Sequence, residues 1–218
     1  TPARLADTRS AGVTIDGQYQ AAGKVTGGTA YTVQVTGRGN VPVGAKAAVL
    51  NVTVLQSTAT GFATVYPCSP VRPNASSINF TSGSIDPNEV VAKLSATGTV
   101  CVYVSQSAQV IIDVVGYART ESPYQPLDPG RFADTRSAGA TIDDQFEAGG
   151  IRASGSTYEV QIAGRGLVPN GAAAAVINLT VVGSTANGFG TVYPCTPTRP
   201  TASSVNWTTG LVRPNELV

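Results

Sequence analysis

The sequence predicts an all-β protein: two tandem β-sandwich (or barrel-like) repeats, the second of them incomplete. Three observations carry that expectation. Apolar residues recur with a period of two, 24 Gly and 14 Pro punctuate the alternation, and a long stretch of the chain is written twice.

Taken along the chain, Tyr31-Thr32-Val33-Gln34-Val35-Thr36 reads as a half-buried strand. Val49-Leu50-Asn51-Val52-Thr53-Val54-Leu55 sets Leu50, Val52 and Val54 on one face, and Asn51 and Thr53 on the other. Phe62-Ala63-Thr64-Val65-Tyr66 and Val100-Cys101-Val102-Tyr103-Val104 alternate in the same way. β-branched residues dominate these runs, as a pleated and partly buried surface favours. Gly37-Arg38-Gly39-Asn40 and Arg72-Pro73-Asn74 read as turns between them. The alanines at 45–48 and 172–175 have the propensity to start a short helix. The longest apolar run, 110–115, is interrupted by Asp113 and falls far short of the roughly 20 residues of a spanning helix. No membrane insertion is expected.

Arg4-Leu5-Ala6-Asp7-Thr8-Arg9-Ser10-Ala11-Gly12 recurs as Arg131-Phe132-Ala133-Asp134-Thr135-Arg136-Ser137-Ala138-Gly139, an offset of 127 residues that holds without a gap. Gly37-Arg38-Gly39 becomes Gly164-Arg165-Gly166, and Pro87-Asn88-Glu89 becomes Pro214-Asn215-Glu216. The predicted organisation is a first repeat over 1–118, a Pro-rich stiff linker over 119–130, and a second repeat over 131–218. The second copy reaches the equivalent of Val91, so counterparts of 92–117 are missing from it. A β domain short of two strands exposes unpaired edges. The expectation is a longer parent array, or strands supplied by a permuted arrangement or a neighbouring molecule. The absence of Met predicts an N-terminus made by processing or trimming.

Composition narrows the chemistry. With 14 Lys+Arg against 13 Asp+Glu, and only 12% charged residues, nothing favours nucleic acid or an anionic membrane as partner. A surface rich in hydroxyl and amide groups suits neutral polymers. There is no His, which removes Ser-His-Asp and Cys-His catalysis and the usual zinc sites. No catalytic residue, metal or cofactor is therefore expected.

Cys68 and Cys101 are expected to form a structural disulfide, which places the chain outside the cytosol. Cys195 matches Cys68, has no counterpart of Cys101 in its own repeat, and is expected to be unpaired or intermolecularly linked.

Six charged residues are candidate ligand-binding groups: Asp7, Arg9 and Arg38, with their copies Asp134, Arg136 and Arg165. Arginine would donate to, and aspartate accept from, sugar hydroxyls. The competing reading makes Asp7 with Arg9, and Asp134 with Arg136, internal ion pairs closing a turn. Arg38 and Arg165, in Gly-flanked turns, are expected to be exposed, either solvated or anchoring an acidic polymer. Asp113 is expected to be a buried charge paired with Arg4 or Arg9. A protonated Asp113 beside Asp7 would be the remote route to a carboxylate-based glycoside hydrolase. Tyr66, Phe80, Tyr193 and Trp207 are read as core or inter-sheet residues rather than a sugar platform. Asn51, Asn79, Asn178 and Asn206 lie in Asn-x-Thr triplets that alternating strands generate readily.

The motifs Arg-Leu-Ala-Asp-Thr-Arg, Gly-Arg-Gly-Asn-Val-Pro, Ala-Val-Leu-Asn-Val-Thr-Val, Gly-Phe-Ala-Thr-Val-Tyr-Pro-Cys, Arg-Pro-Asn-Ala-Ser-Ser-Ile-Asn-Phe and Val-Ile-Ile-Asp-Val-Val-Gly-Tyr resemble a β-rich repeat of secreted and cell-surface actinobacterial proteins. The likeness covers the first copy and all of the partial second one. It implies export and an accessory role, and it carries over no catalytic position. The resulting expectation is a non-catalytic extracellular module that binds polysaccharide or cell-wall polymer. The alternative is a subunit of a surface filament or layer that assembles with copies of itself by strand exchange.

Overall fold

The computed structural model describes residues 1–217 and divides into two units, Thr1–Asp128 and Pro129–Val218. The first unit holds eight strands: β1 (Ala3–Asp7), β2 (Thr29–Gln34), β3 (Ala47–Leu55), β4 (Gly61–Tyr66), β5 (Ile78–Phe80), β6 (Ile85–Lys93), β7 (Thr99–Val104) and β8 (Gln109–Ala118). They form two four-stranded antiparallel sheets, in the orders β1-β8-β3-β6 and β2-β7-β4-β5. Neither sheet closes into a barrel. The fold is all-β, and the first unit is a sandwich.

Alternation explains the packing. Leu50, Val52 and Val54 of β3 are fully buried, while Asn51 and Thr53 between them are not. Val100, Val102 and Val104 of β7 face inward against Val33 of β2 and Val65 of β4, and join one core with Leu5, Val110 and Ile112 of the other sheet. Burying such side chains at about 1.5–3 kcal/mol each is the main force holding the two layers together.

The last two strands of the unit take the middle of the sheets. β8 lies between β1 and β3, with register partners Arg4↔Asp113 and Asn51↔Asp113. β7 lies between β2 and β4. The β1–β8 register skips one residue between Arg4 and Ala6, a bulge that leaves Leu5 out of the ladder.

The alanines at 45–48 do not start a helix, and no described residue is helical. Ala47 and Ala48 are fully buried and open β3, where pairing with β6 and β8 on both edges outweighs alanine's weak helical preference. The segment read as a stiff linker is bonded to the first unit: Thr120 Oγ1 donates to the Gly44 carbonyl, Lys46 Nζ to the Ser122 carbonyl, and Lys93 pairs with Asp128.

Cys68 and Cys101 are joined, with Cα atoms 5.0 Å apart. The bond pins the loop 67–77 across the outer face of the second sheet. There Thr64 Oγ1 donates to the Ala75 carbonyl at 2.6 Å and Ser77 Oγ accepts from the Val65 amide. Tyr66 and Cys101 are buried beneath it.

The second unit contains only β9 (Ile177–Val181), β10 (Gly188–Gly190), β11 (Val205–Trp207) and β12 (Arg213–Leu217). They form two separate two-stranded sheets, β12-β9 and β10-β11. By the repeat offset these are the counterparts of β3 with β6 and of β4 with β5.

Reducing the Cys68–Cys101 bridge, or the Cys101→Ser substitution, should cost the first unit about 3–4 kcal/mol by loop entropy. Urea unfolding of this unit with and without reductant measures it.

Candidate functional site

Asp7 ends β1, and its side chain is wholly buried. Its carboxylate accepts from the Arg9 amide, Nε and Nη2, at 3.2, 2.9 and 2.6 Å, and from Arg4 Nη1 at 3.3 Å. These donors, Arg9 first, hold its carboxyl below the ordinary carboxylate range despite burial. Arg4 forks onto Asp113 through Nε and Nη2, at 2.8 and 3.1 Å. Asp113 is thus a half-buried charge on the outer face of the first sheet, not a fully buried one. The adjacent Thr8 hydroxyl donates to Gln109 Oε1 and accepts from the Val110 amide.

The turn 9–12 fits only if residue 12 lacks a side chain. The Gly12 amide donates to the Arg9 carbonyl at 2.8 Å, and a Cβ on Gly12 would overlap the Asp7 carbonyl oxygen. The copy repeats this: Asp134 accepts from the Arg136 amide, Nε and Nη2, and Gly139 lies equally close to its backbone. Both Asp-Thr-Arg motifs are ion pairs internal to the fold.

Arg38 and Arg165 are buried, 7% and 6% exposed, which corrects the expectation of solvated turn residues. Arg38 Nε and Nη2 fork onto Asp16 at 2.6 and 2.7 Å, while Nη1 donates to the Gln34 carbonyl. Nη2 also donates to the Leu5 carbonyl at 2.8 Å, serving the residue that the bulge leaves out of the ladder. The guanidinium lies 4.8 Å from the Tyr19 ring centroid. Arg165 repeats the set with Asp143, Gln161, Phe132 and the Phe146 ring. Tyr19 and Ala21, like Phe146 and Ala148, hold φ values of 53–57°, a left-handed conformation costing these residues about 1–3 kcal/mol each. That backbone path lets the Asp7 amide donate to the Tyr19 carbonyl and the Ala21 amide to the Asp7 carbonyl. Flanking glycines marked a turn, but long side chains can fold back through a turn to reach unpaired carbonyls.

All six charged candidates are therefore engaged inside their own unit. A shallow depression of about 290 Å³ beside Arg9 is lined also by Ser10, Ala11, Gln56 and Gln109. The charge at its rim is already matched by Asp7.

The residues that the sequence did not single out lie on the outer face of the second sheet. Tyr103 of β7 and Phe62 of β4 point away from the core, their ring centroids 5.9 Å apart. The exposed Arg72, on the pinned loop, lies 4.3 Å from the Tyr103 centroid and 5.6 Å from that of Phe62. Arg72 Nη1 donates to the Pro73 carbonyl, and no described carboxylate pairs with this guanidinium. In the second unit Arg199 lies 5.7 Å from the Phe189 centroid, again without a described carboxylate partner. The signal available in the sequence was an arginine before proline at both repeat positions, Arg72-Pro73 and Arg199-Pro200.

Of the four aromatics read as core, Tyr66 and Phe80 are buried; Tyr193 and Trp207 are half-exposed. Trp207 instead covers Gly188 and donates through Nε1 to the Ala186 carbonyl at 3.0 Å.

Arg38→Ala should destabilise the first unit by roughly 1–3 kcal/mol, since it leaves the Leu5 and Gln34 carbonyls without their side-chain donor. Thermal or urea unfolding reads this directly. Arg38 donors, foremost among the causes, lower the Asp16 carboxyl from 3.8 to about 2, so unfolding takes up a proton as the medium acidifies. The pair's contribution is complete above about pH 5 and is lost as pH falls through 4 towards 2. Asp16→Asn should be less stable at pH 7 and show a flatter stability profile across that window.

The chain matches no family model, no curated protein and no solved structure.

Proposed function

We propose that the protein is a non-catalytic extracellular module that binds polysaccharide or cell-wall polymer, with one contact point in each unit. The observation that carries this reading is the pair Arg72 and Arg199. The other arginines of the repeated motifs are matched to carboxylates, whereas these two are stacked on aromatic rings and aimed at solvent. A guanidinium backed by Tyr103 and Phe62 is held flat, so little side-chain entropy is lost on binding. Its fork suits ring hydroxyls, uronate carboxylates or polymer phosphates. The surrounding surface adds neutral hydrogen-bonding groups, including Thr32 and Asn79.

Three further points support it. Asp7 and Asp113 both accept from Arg4, an arrangement that suits an internal ion-pair network rather than the acid and nucleophile of a glycosidase. The disulfide suits an oxidising compartment. Two weak contacts on one chain gain avidity on a repeating polymer.

Retention of the protein on insoluble chitin, cellulose and peptidoglycan tests the reading. At least one polymer should hold the chain, Arg72→Ala should weaken retention, and Arg72→Ala with Arg199→Ala should weaken it at least about tenfold. Neither side chain is in the core, so the far-ultraviolet spectrum should be unchanged. If no polymer retains the chain, or the double variant is held as well as the parent, the reading fails. Retention that falls as salt rises from 50 to 500 mM would identify a charged polymer as the ligand.

A further inference from the structure

Five arginines of this chain hold a carboxylate in one and the same way. Arg4 on Asp113, Arg9 on Asp7, Arg38 on Asp16, Arg136 on Asp134 and Arg165 on Asp143 each donate through Nε and Nη2, one bond to each carboxylate oxygen, at 2.6–3.1 Å. The pairing is fork to fork, the arrangement in which a guanidinium recognises a carboxylate most specifically. Arg72 departs from this pattern. Its Nη1 donates to the Pro73 carbonyl at 3.2 Å, while Nε and Nη2 have no partner among the described residues. The side chain is exposed, and its guanidinium lies over Tyr103 and Phe62, 4.3 and 5.6 Å from the ring centroids. Rings beneath the cation shield it from water on one side without using its N–H groups. The edge that holds a carboxylate elsewhere in the chain is here held in place and left open.

The surroundings narrow what that edge can take. Cys101 and Tyr103 project from the same face of β7, and the Cys68–Cys101 bond ties the loop that carries Arg72 beside them. Within β2, β7, β4 and β5 and the segment 67–77, Arg72 is the single charged residue. No acidic side chain in these segments competes for the guanidinium. They also offer no second cation, and no described residue is helical, so the cluster of charges or helix terminus that phosphate sites use is lacking. One planar fork on a neutral face matches one planar carboxylate. Thr32 on β2 and Asn79 on β5 belong to the same outer face and supply neutral polar groups beside the fork.

We propose that Arg72 binds the carboxylate of a uronic acid residue in a polysaccharide, through its Nε–Nη2 edge. The neutral side chains around it meet the hydroxyls of the sugar. This ligand class narrows the polymer-binding role proposed for the protein and rests on it. A face that would hold any glycan weakly becomes selective for one whose rings carry a carboxylate.

The test uses the full chain carrying Arg199→Ala, so that binding by the first unit is read alone, with polygalacturonate and its methyl ester as titrants. The two polymers share ring hydroxyls and differ in the carboxylate. The acid form should bind at least about tenfold more tightly than the ester, the loss expected when a charge-assisted fork has no acceptor. Arg72→Ala and Arg72→Lys should each bring the acid form down to the level of the ester, because lysine keeps the charge but cannot fork. Equal binding of acid and ester, or full binding by Arg72→Lys, overturns the carboxylate fork. Polyglutamate or poly(glycerol phosphate) bound as tightly as polygalacturonate overturns the uronate assignment in favour of an acidic peptide or a phosphate polymer. In each of these cases retention on chitin, cellulose or peptidoglycan leaves the broader polymer reading standing, whereas a chain held by no polymer, polygalacturonate included, sinks both.

Discussion

The first unit depends on two strands that hydrogen-bond along both edges. β8 joins β1 to β3 and β7 joins β2 to β4, so neither sheet is continuous without them. Backbone pairing and side-chain burial are satisfied together there: the same residues that complete the ladders supply Val102, Val104, Val110 and Ile112 to the shared core. The pairs β9 with β12 and β10 with β11 persist as two-stranded ribbons, while the β1-like and β2-like segments, whose partners would be the interior strands, stay irregular. A strand needs a partner for its backbone groups before its propensity matters.

Charge is used sparingly in this chain, and the ion pairs that recur in both units brace irregular backbone. Asp7 ties the end of β1 to Arg9 and Arg4, and Arg38 gathers Asp16, Gln34, Tyr19 and the bulged Leu5 carbonyl into one buried node. Such nodes add less net stability than apolar packing would, but removing the outer partner, Arg9 or Asp16, leaves the buried Asp7 or Arg38 short of its counter-charge. They also fix where the left-handed residues Tyr19 and Ala21 must sit, which apolar contacts alone would not specify.

Local pattern was legible in the sequence because it has a local cause. Alternation placed Leu50, Val52 and Val54 inside, and the spacing of motifs placed Cys68 with Cys101 and left Cys195 alone. What depended on distant chain was not legible. Arg38 looked exposed because its partners, the Leu5 carbonyl 33 residues away and Asp16 22 away, reach it only after folding. Arg72 looked like an ordinary turn residue for the converse reason: its distinction is the absence of a carboxylate nearby, together with rings contributed by two other strands. The alanines at 45–48 were ambiguous because small residues suit a helix and a tightly packed strand alike, and only β6 and β8 decide between them.

The position of β7 and β8 in the chain has a consequence for how the protein is made. Both sheet centres come from the last third of the first unit, so strands that leave the ribosome early cannot be paired until β7 (Thr99–Val104) and β8 (Gln109–Ala118) have followed. During that interval β1 and β2 lack their pairing partners, and the β4–β5 and β3–β6 ribbons carry open apolar faces. Long-range closure of this kind makes folding slow and lengthens the exposure of sticky intermediates. A low-charge chain gains little protection from electrostatic repulsion in that window. Synthesis of such a unit therefore favours escort by a holding chaperone until its final two strands have arrived.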